Sequence, residues 1–194
     1  MEWTIPIQTI DTSKILIGQI YNTHKPMSPL SYVDGDLRFP SVNILLPMTS
    51  IQSYETATGK LALLLPTGEQ ASTKISNLQE MLLTSVYNKQ AQLFKGCPMR
   101  TTDELRSGFQ MILDGNVLKL YCPIGTTAPQ GVHDLPIYTG GKWIRGLKAG
   151  MLTEGKSVRL ALRIQGISFH LNPVTQLWTG KFRLQHRITA ILID

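Results

Sequence analysis

Two cysteines in the whole chain, Cys97 and Cys122, are too few and too far apart for a disulfide framework or a CxxC motif. Such usage suits a reduced, intracellular setting. No apolar run approaches the ~20 residues that a membrane-spanning helix needs. The start Met1-Glu2-Trp3-Thr4 lacks the charged and apolar parts of a signal peptide. A soluble protein without a membrane partner is expected. Catalytic motifs are missing as well. Thr58-Gly59-Lys60-Leu61 and Gly140-Gly141-Lys142-Trp143 hold Gly-Lys without the Ser or Thr that completes a phosphate-cradling loop. In Gly166-Ile167-Ser168-Phe169-His170 a histidine takes the place of the second glycine of a nucleophile elbow. HExxH is absent, and His170 and His186, which would neighbour each other across the last hairpin, have no cysteine or carboxylate at ligand spacing to complete a zinc site. These absences predict no cofactor, no metal and no enzymatic activity.

Acidic residues are scarce in one region only. Residues 141–194 hold nine Lys and Arg against two Asp and Glu, whereas residues 1–140 hold ten against eleven, so the last quarter supplies the whole net charge of +6. The same quarter contains two alternating patterns. Val158, Leu160, Leu162 and Ile164 alternate with Arg159, Ala161, Arg163 and Gln165, and Phe182, Leu184 and Ile188 sit among Lys181, Arg183, Gln185 and Arg187. Successive strand side chains point to opposite faces, so each stretch buries one side and turns a ladder of cations outward. A polyanion relieves the self-repulsion of such a ladder. Arg145, Lys148, Arg159, Arg163, Lys181, Arg183 and Arg187 are the candidate phosphate contacts, and Trp143 and Trp178, with Tyr138 behind them, are the candidate rings for base stacking. The plainer alternatives are a solvated basic sheet face and tryptophans that belong to the core.

Glycine and proline, 16 and 11 residues, punctuate short β-like runs with no fixed repeat. Strands are expected at 15–21, 30–33, 37–39, 42–46, 51–54 and 60–65, with a tight hairpin at Asp34-Gly35-Asp36, so that the first third reads as a β-meander. Ile75, Leu78, Leu82, Val86 and Gln90 then step by three and four, which predicts an amphipathic helix capped near Ser72 or Thr73. Thr101-Thr102-Asp103-Glu104 fits a capping box that opens a shorter helix. A strand at 117–121 and a long flexible loop at about 123–136 follow. Within 158–171 the apolar parity switches at Gly166, which predicts a β-bulge there. His186 falls on the apolar parity of its strand and is expected to be a hydrogen-bonded core group. The fold class is mainly β with one long and one short inserted helix, an OB-fold-like small β-barrel. Residues 1–194 form one domain, with the helical insertion at about 73–108.

Three stretches carry a family likeness. They are Ser28–Phe39 running into Ile44-Leu45-Leu46-Pro47, then Leu61–Leu65 with the helix at 74–93 and Glu104-Leu105-Arg106, and finally Gly180-Lys181-Phe182-Arg183-Leu184-Gln185-His186 with Ile188. In order and pattern the chain resembles the viral single-stranded-DNA-binding proteins of the OB-fold type, found in short-tailed bacteriophages and in large eukaryotic DNA viruses. The resemblance implies a non-catalytic, sequence-tolerant protein that coats and protects exposed strands in viral genome replication, inside the infected host cell. Single-stranded nucleic acid is the implied partner, DNA ahead of RNA. Contacts with replication proteins and self-association stay open. Phage members end in an acidic tail that contacts replication partners, whereas the residues here end Ile191-Leu192-Ile193-Asp194 with one acid; either that tail is missing or partners are recruited another way, so the resemblance says little about polymerase contact. The competing readings are a virion or nucleoprotein structural protein that touches nucleic acid non-specifically, a protein-interaction module, and an enzyme whose site no local motif reveals.

Overall fold

The structure, a computed structural model, describes residues 3–21, 25–68, 70–122 and 135–194. Among these the chain is mainly β with two helices. The first strands are β1 (Ile5–Pro6), β2 (Ile15–Ile17), β3 (Met27–Asp34), β4 (Leu37–Phe39), β5 (Val42–Leu45), β6 (Thr49–Glu55) and β7 (Lys60–Leu64). Helices α1 (Gln70–Leu93) and α2 (Thr102–Gly108) follow. The remaining strands are β8 (Phe109–Gln110), β9 (Leu113–Asp114), β10 (Val117–Tyr121), β11 (Pro136–Thr139), β12 (Lys142–Arg145), β13 (Ser157–Leu171) and β14 (Trp178–Ile193). Neither helix is long and apolar enough to cross a membrane.

The expected hairpins form. β3 and β4 pair through a two-residue turn, with Asp34 opposite Leu37 and positive φ at Gly35, and β6 pairs with β7. The meander forms only in part, because β2, β3 and β4 pair antiparallel in chain order but do not continue into the next strands. β4, β5 and β6 do not pair with one another. Instead β6, β5 and β3 line up along one edge of β13, at 157–158, 161–164 and 166–168, while β14 runs antiparallel along the other edge. Local alternation marks these segments as strands but carries no information on partners more than a hundred residues away.

A register slip falls between Ile164 and Gly166, as the parity switch predicts. It leaves Gln165 unpaired, so that Arg159, Arg163 and Gln165 before it and Ser168 and His170 after it all lie on the outward face. Gly166 is required by close approach. A Cβ there would fall on the Ser28 carbonyl oxygen, far inside van der Waals contact.

The helical segment closes the other side. α1 begins at Gln70, ahead of the expected Ser72 or Thr73 cap, and Ala71 in its first turn is already buried against the core. α2 has the predicted capping box, with Glu104 N–H donating to the Thr101 hydroxyl at 3.2 Å and Thr101 N–H donating to the Glu104 carboxylate at 2.8 Å. The ladder path from β13 through β6, β7 and β10 ends at β9 and does not return to β14. The gap between β10 and β14 is spanned by residues 109–114, whose β8 end pairs with β14 and whose β9 end pairs with β10. Gln79 of α1, buried, holds this span, since its Oε1 accepts from Ile112 N–H at 2.8 Å and from Leu113 N–H at 3.0 Å. Residues 123–134 of the expected loop lie outside the described residues. Leu135 is buried and Pro136 already begins β11.

Gly166→Ala is expected to destabilise the fold by about 1–3 kcal/mol, the usual range for forcing a methyl group into packed structure. A urea unfolding curve checks this, with an unchanged midpoint counting against the close approach.

Candidate functional site

The two long strands build the site. Along β14, Lys181, Arg183, Gln185 and Arg187 point outward while Phe182, Leu184 and Ile188 are buried. Along β13, Val158, Leu160, Leu162 and Ile164 are buried beneath Arg159 and Arg163. Arg163 lies directly opposite Arg187 on one side and Asn43 on the other, which makes a row across β5, β13 and β14. A like-charged pair directly across a ladder is destabilising by itself. A second row crosses four strands, with Trp143, Tyr138, Leu192 and Arg159 side by side from β12 to β13. Arg145 lies two residues along from Trp143 on the same face.

Arg145, Arg159, Arg163, Lys181, Arg183, Arg187 and Trp143 are thus brought onto one face. Lys148 is exposed in the segment between β12 and β13, off the strand rows. Four ion pairs, Lys14–Asp34, Lys60–Glu55, Arg106–Glu80 and Lys119–Asp114, lie off this face. Arg159, Lys181 and Arg183 have no acidic partner among the described residues. Arg183 Nε donates to the Ser168 hydroxyl at 3.4 Å, and Gln185 Nε2 donates to the same oxygen at 2.8 Å. These contacts orient the two side chains over an open groove of about 690 Å³ that Lys25, Ser168, His170, Lys181, Arg183 and Gln185 help to line.

Trp178 is a correction. It is buried, stacked on Phe94 with ring centres 4.1 Å apart, and its Nε1–H donates to the Lys181 carbonyl at 3.0 Å. No base can stack on it. Its ring instead fixes the start of β14, because an indole with a hydrogen-bonded N–H packs well in an apolar setting. Trp143, by contrast, is 58% exposed and rests its ring against Tyr138 at 5.3 Å. Tyr32 is buried, and the Tyr54 hydroxyl donates to the Cys122 carbonyl at 2.8 Å. Sequence reasoning missed Lys25, Ser168 and His170 as groove residues. A parity count carried past the slip at Gln165 would have found the last two.

The titratable groups here are structural. His186, half-buried on the inner side of β14, accepts the Tyr121 N–H on Nε2 at 3.1 Å. Its other ring nitrogen therefore carries the proton and faces the Leu184 carbonyl at 3.4 Å. This bond ties β10 to β14 where no ladder joins them. Burial holds the imidazole below its ordinary pKa, the nearby Arg183 charge adds to this, and the Leu184 contact opposes it. His170 pairs with the Thr179 hydroxyl at 3.1 Å. Burial pushes the Cys122 thiol up to about 12, so it stays protonated. Among the described residues no three His, Cys, Asp or Glu side chains gather to hold a metal ion.

No protein-family model, no curated protein and no solved structure matches the chain.

Because the folded imidazole has the lower pKa, the unfolded chain binds a proton first as pH falls below about 6.5. Stability from His186 is complete above that value and is lost as pH drops through the lowered folded pKa. Thermal midpoints measured from pH 7.5 to 5 are expected to fall, and less steeply in His186→Gln. Equal slopes for the two proteins would remove His186 as the cause.

Proposed function

We propose that the outward face of β12–β11–β14–β13 binds single-stranded nucleic acid, DNA ahead of RNA, with little sequence preference. The protein then coats and protects exposed strands in viral genome replication within the infected cell, without catalysis. The observation that carries this reading is the alignment of Arg159, Arg163, Lys181, Arg183 and Arg187 on one face, with Trp143 exposed in the Arg159 row. Cations that track phosphates, joined to a ring on which a base can stack, are the two devices that hold single strands without reading sequence. Further support comes from the resemblance to viral OB-fold single-stranded-DNA-binding proteins. A barrel of that type would be reached by closing the open sheet between β10 and β14, where residues 109–114 and the His186–Tyr121 bond already lie.

The test uses fluorescence anisotropy with a ~30-nucleotide single strand. If about six phosphates are neutralised, log K falls with log salt at a slope near −4. Lys181→Glu with Arg183→Glu and Arg159→Glu is expected to abolish binding while circular dichroism stays unchanged, since all three side chains are exposed. Duplex DNA that competes as well as single strands would favour a nucleoprotein structural role. Binding to neither, or binding indifferent to salt, overturns the proposal.

A further inference from the structure

A second groove, of about 560 Å³, opens on the same side of β13 before the slip, lined by Trp3, Tyr21, Phe39, Asn43, Arg163 and Gln165 among others. Its rings come from three separate segments, and each is held in place. Trp3 stacks on Phe39 with centres 3.9 Å apart and planes 7° from parallel, and it leans on Tyr32 at 5.8 Å. The Tyr21 backbone pairs reciprocally with Met27, at 3.0 and 3.1 Å, and its ring is held by the hydroxyl, which donates to Met27 Sδ at 3.7 Å. Yet Trp3 is 42% and Tyr21 50% exposed. Large rings that are pinned in orientation and left wet are preorganised for a flat partner, since little side-chain freedom remains to be lost on binding.

The polar rim narrows the partner. Asn43 accepts from the Ser41 hydroxyl at 3.0 Å through Oδ1, which leaves its NH₂ group without a hydrogen bond among the described residues. The exposed Gln165 amide makes none there either. An aliphatic occupant would strand both amides, and a cation would meet Arg163. A nucleobase with its adjoining phosphate meets the rings and the amides, and its charge is drawn by the Arg163 guanidinium. Arg163 also belongs to the row that contains Arg187, so a strand following the cations passes the mouth of this groove.

We infer that the groove between Trp3 and Tyr21 is a stacking platform for an unpaired base of the bound strand, with Asn43 and Gln165 at the base edge and Arg163 at its phosphate. This rests on the nucleic-acid reading above and names a stacking site for it outside the Trp143 row.

The test measures affinity of the full chain for a 15-nucleotide thymidine strand, for the same strand with abasic sites, and for thymidine monophosphate. Tyr21→Ala and Trp3→Ala are each expected to bind the thymidine strand about 5- to 150-fold more weakly, the cost of one stacked base. Tyr21→Phe should retain affinity, and all variants should match the wild type on the abasic strand. Trp3→Ala risks its packing on Phe39, so Tyr21→Ala decides if circular dichroism shows the Trp3 variant misfolded. Losses below twofold in folded Tyr21→Ala, or equal losses on both strands, overturn the platform while leaving the charge-based reading intact. Monophosphate binding as tight as the strand overturns the strand as the source of the base. A wild type that binds neither strand overturns the platform and the nucleic-acid reading together.

Discussion

The 15 residues of Ser157–Leu171 accept neighbours along both edges, and the rest of the fold is arranged around that double pairing. A strand that serves three partners on one side and a single long partner on the other has to bend between them. The one-residue slip at Gln165 supplies the bend. It also reverses which parity faces the core, so buried residues change from Val158, Leu160, Leu162 and Ile164 to Ile167 and Phe169. Without the slip, either the apolar set or the polar set would be on the wrong side for half the strand. The slip thus keeps one face of β13 polar and the other apolar on both sides of Gln165.

Buried polar groups fix the places where this framework has no ladder. Gln79 accepts two backbone N–H groups of the span between β8 and β9, and Gln90 accepts Arg100 N–H at 2.8 Å while donating to the Arg100 carbonyl at 3.0 Å. Each amide replaces hydrogen bonds that irregular backbone would otherwise lack, which matters because an unpaired buried N–H costs about 1–3 kcal/mol. His186 does the same for Tyr121. These residues read as ordinary helix or strand positions in the sequence, since an amide on an apolar stripe does not announce which backbone it will satisfy.

What was legible followed from periodicity. The alternation of Val158–Ile164 and of Lys181–Ile188 predicted both long strands and their outward cations, and the Ile75, Leu78, Leu82 and Val86 spacing predicted α1. The Thr101 capping box was readable because its chemistry is local. The meander stops after β4 because the pairing of β5 and β6 with β13 is non-local. Trp178 was a stacking candidate because it sits just before the basic strand, with the core as the alternative; the partner that buries it, Phe94, lies just past α1, far back in the chain. Trp3, Tyr21 and Phe39 converge on one groove from three segments with no shared motif, and only the folded chain brings them together.

The reliance of β3, β5 and β6 on a strand that begins at Ser157 has a consequence for biogenesis. As the polypeptide leaves the ribosome, these early segments can form only local pairings, such as β3 with β4 and β6 with β7, and their edges that pair with β13 stay open until most of the molecule has been made. Sheet assembly is therefore a late event governed by distant closures, which slows it. Until then the nascent chain holds unsatisfied strand edges that a chaperone, or premature release, would meet first.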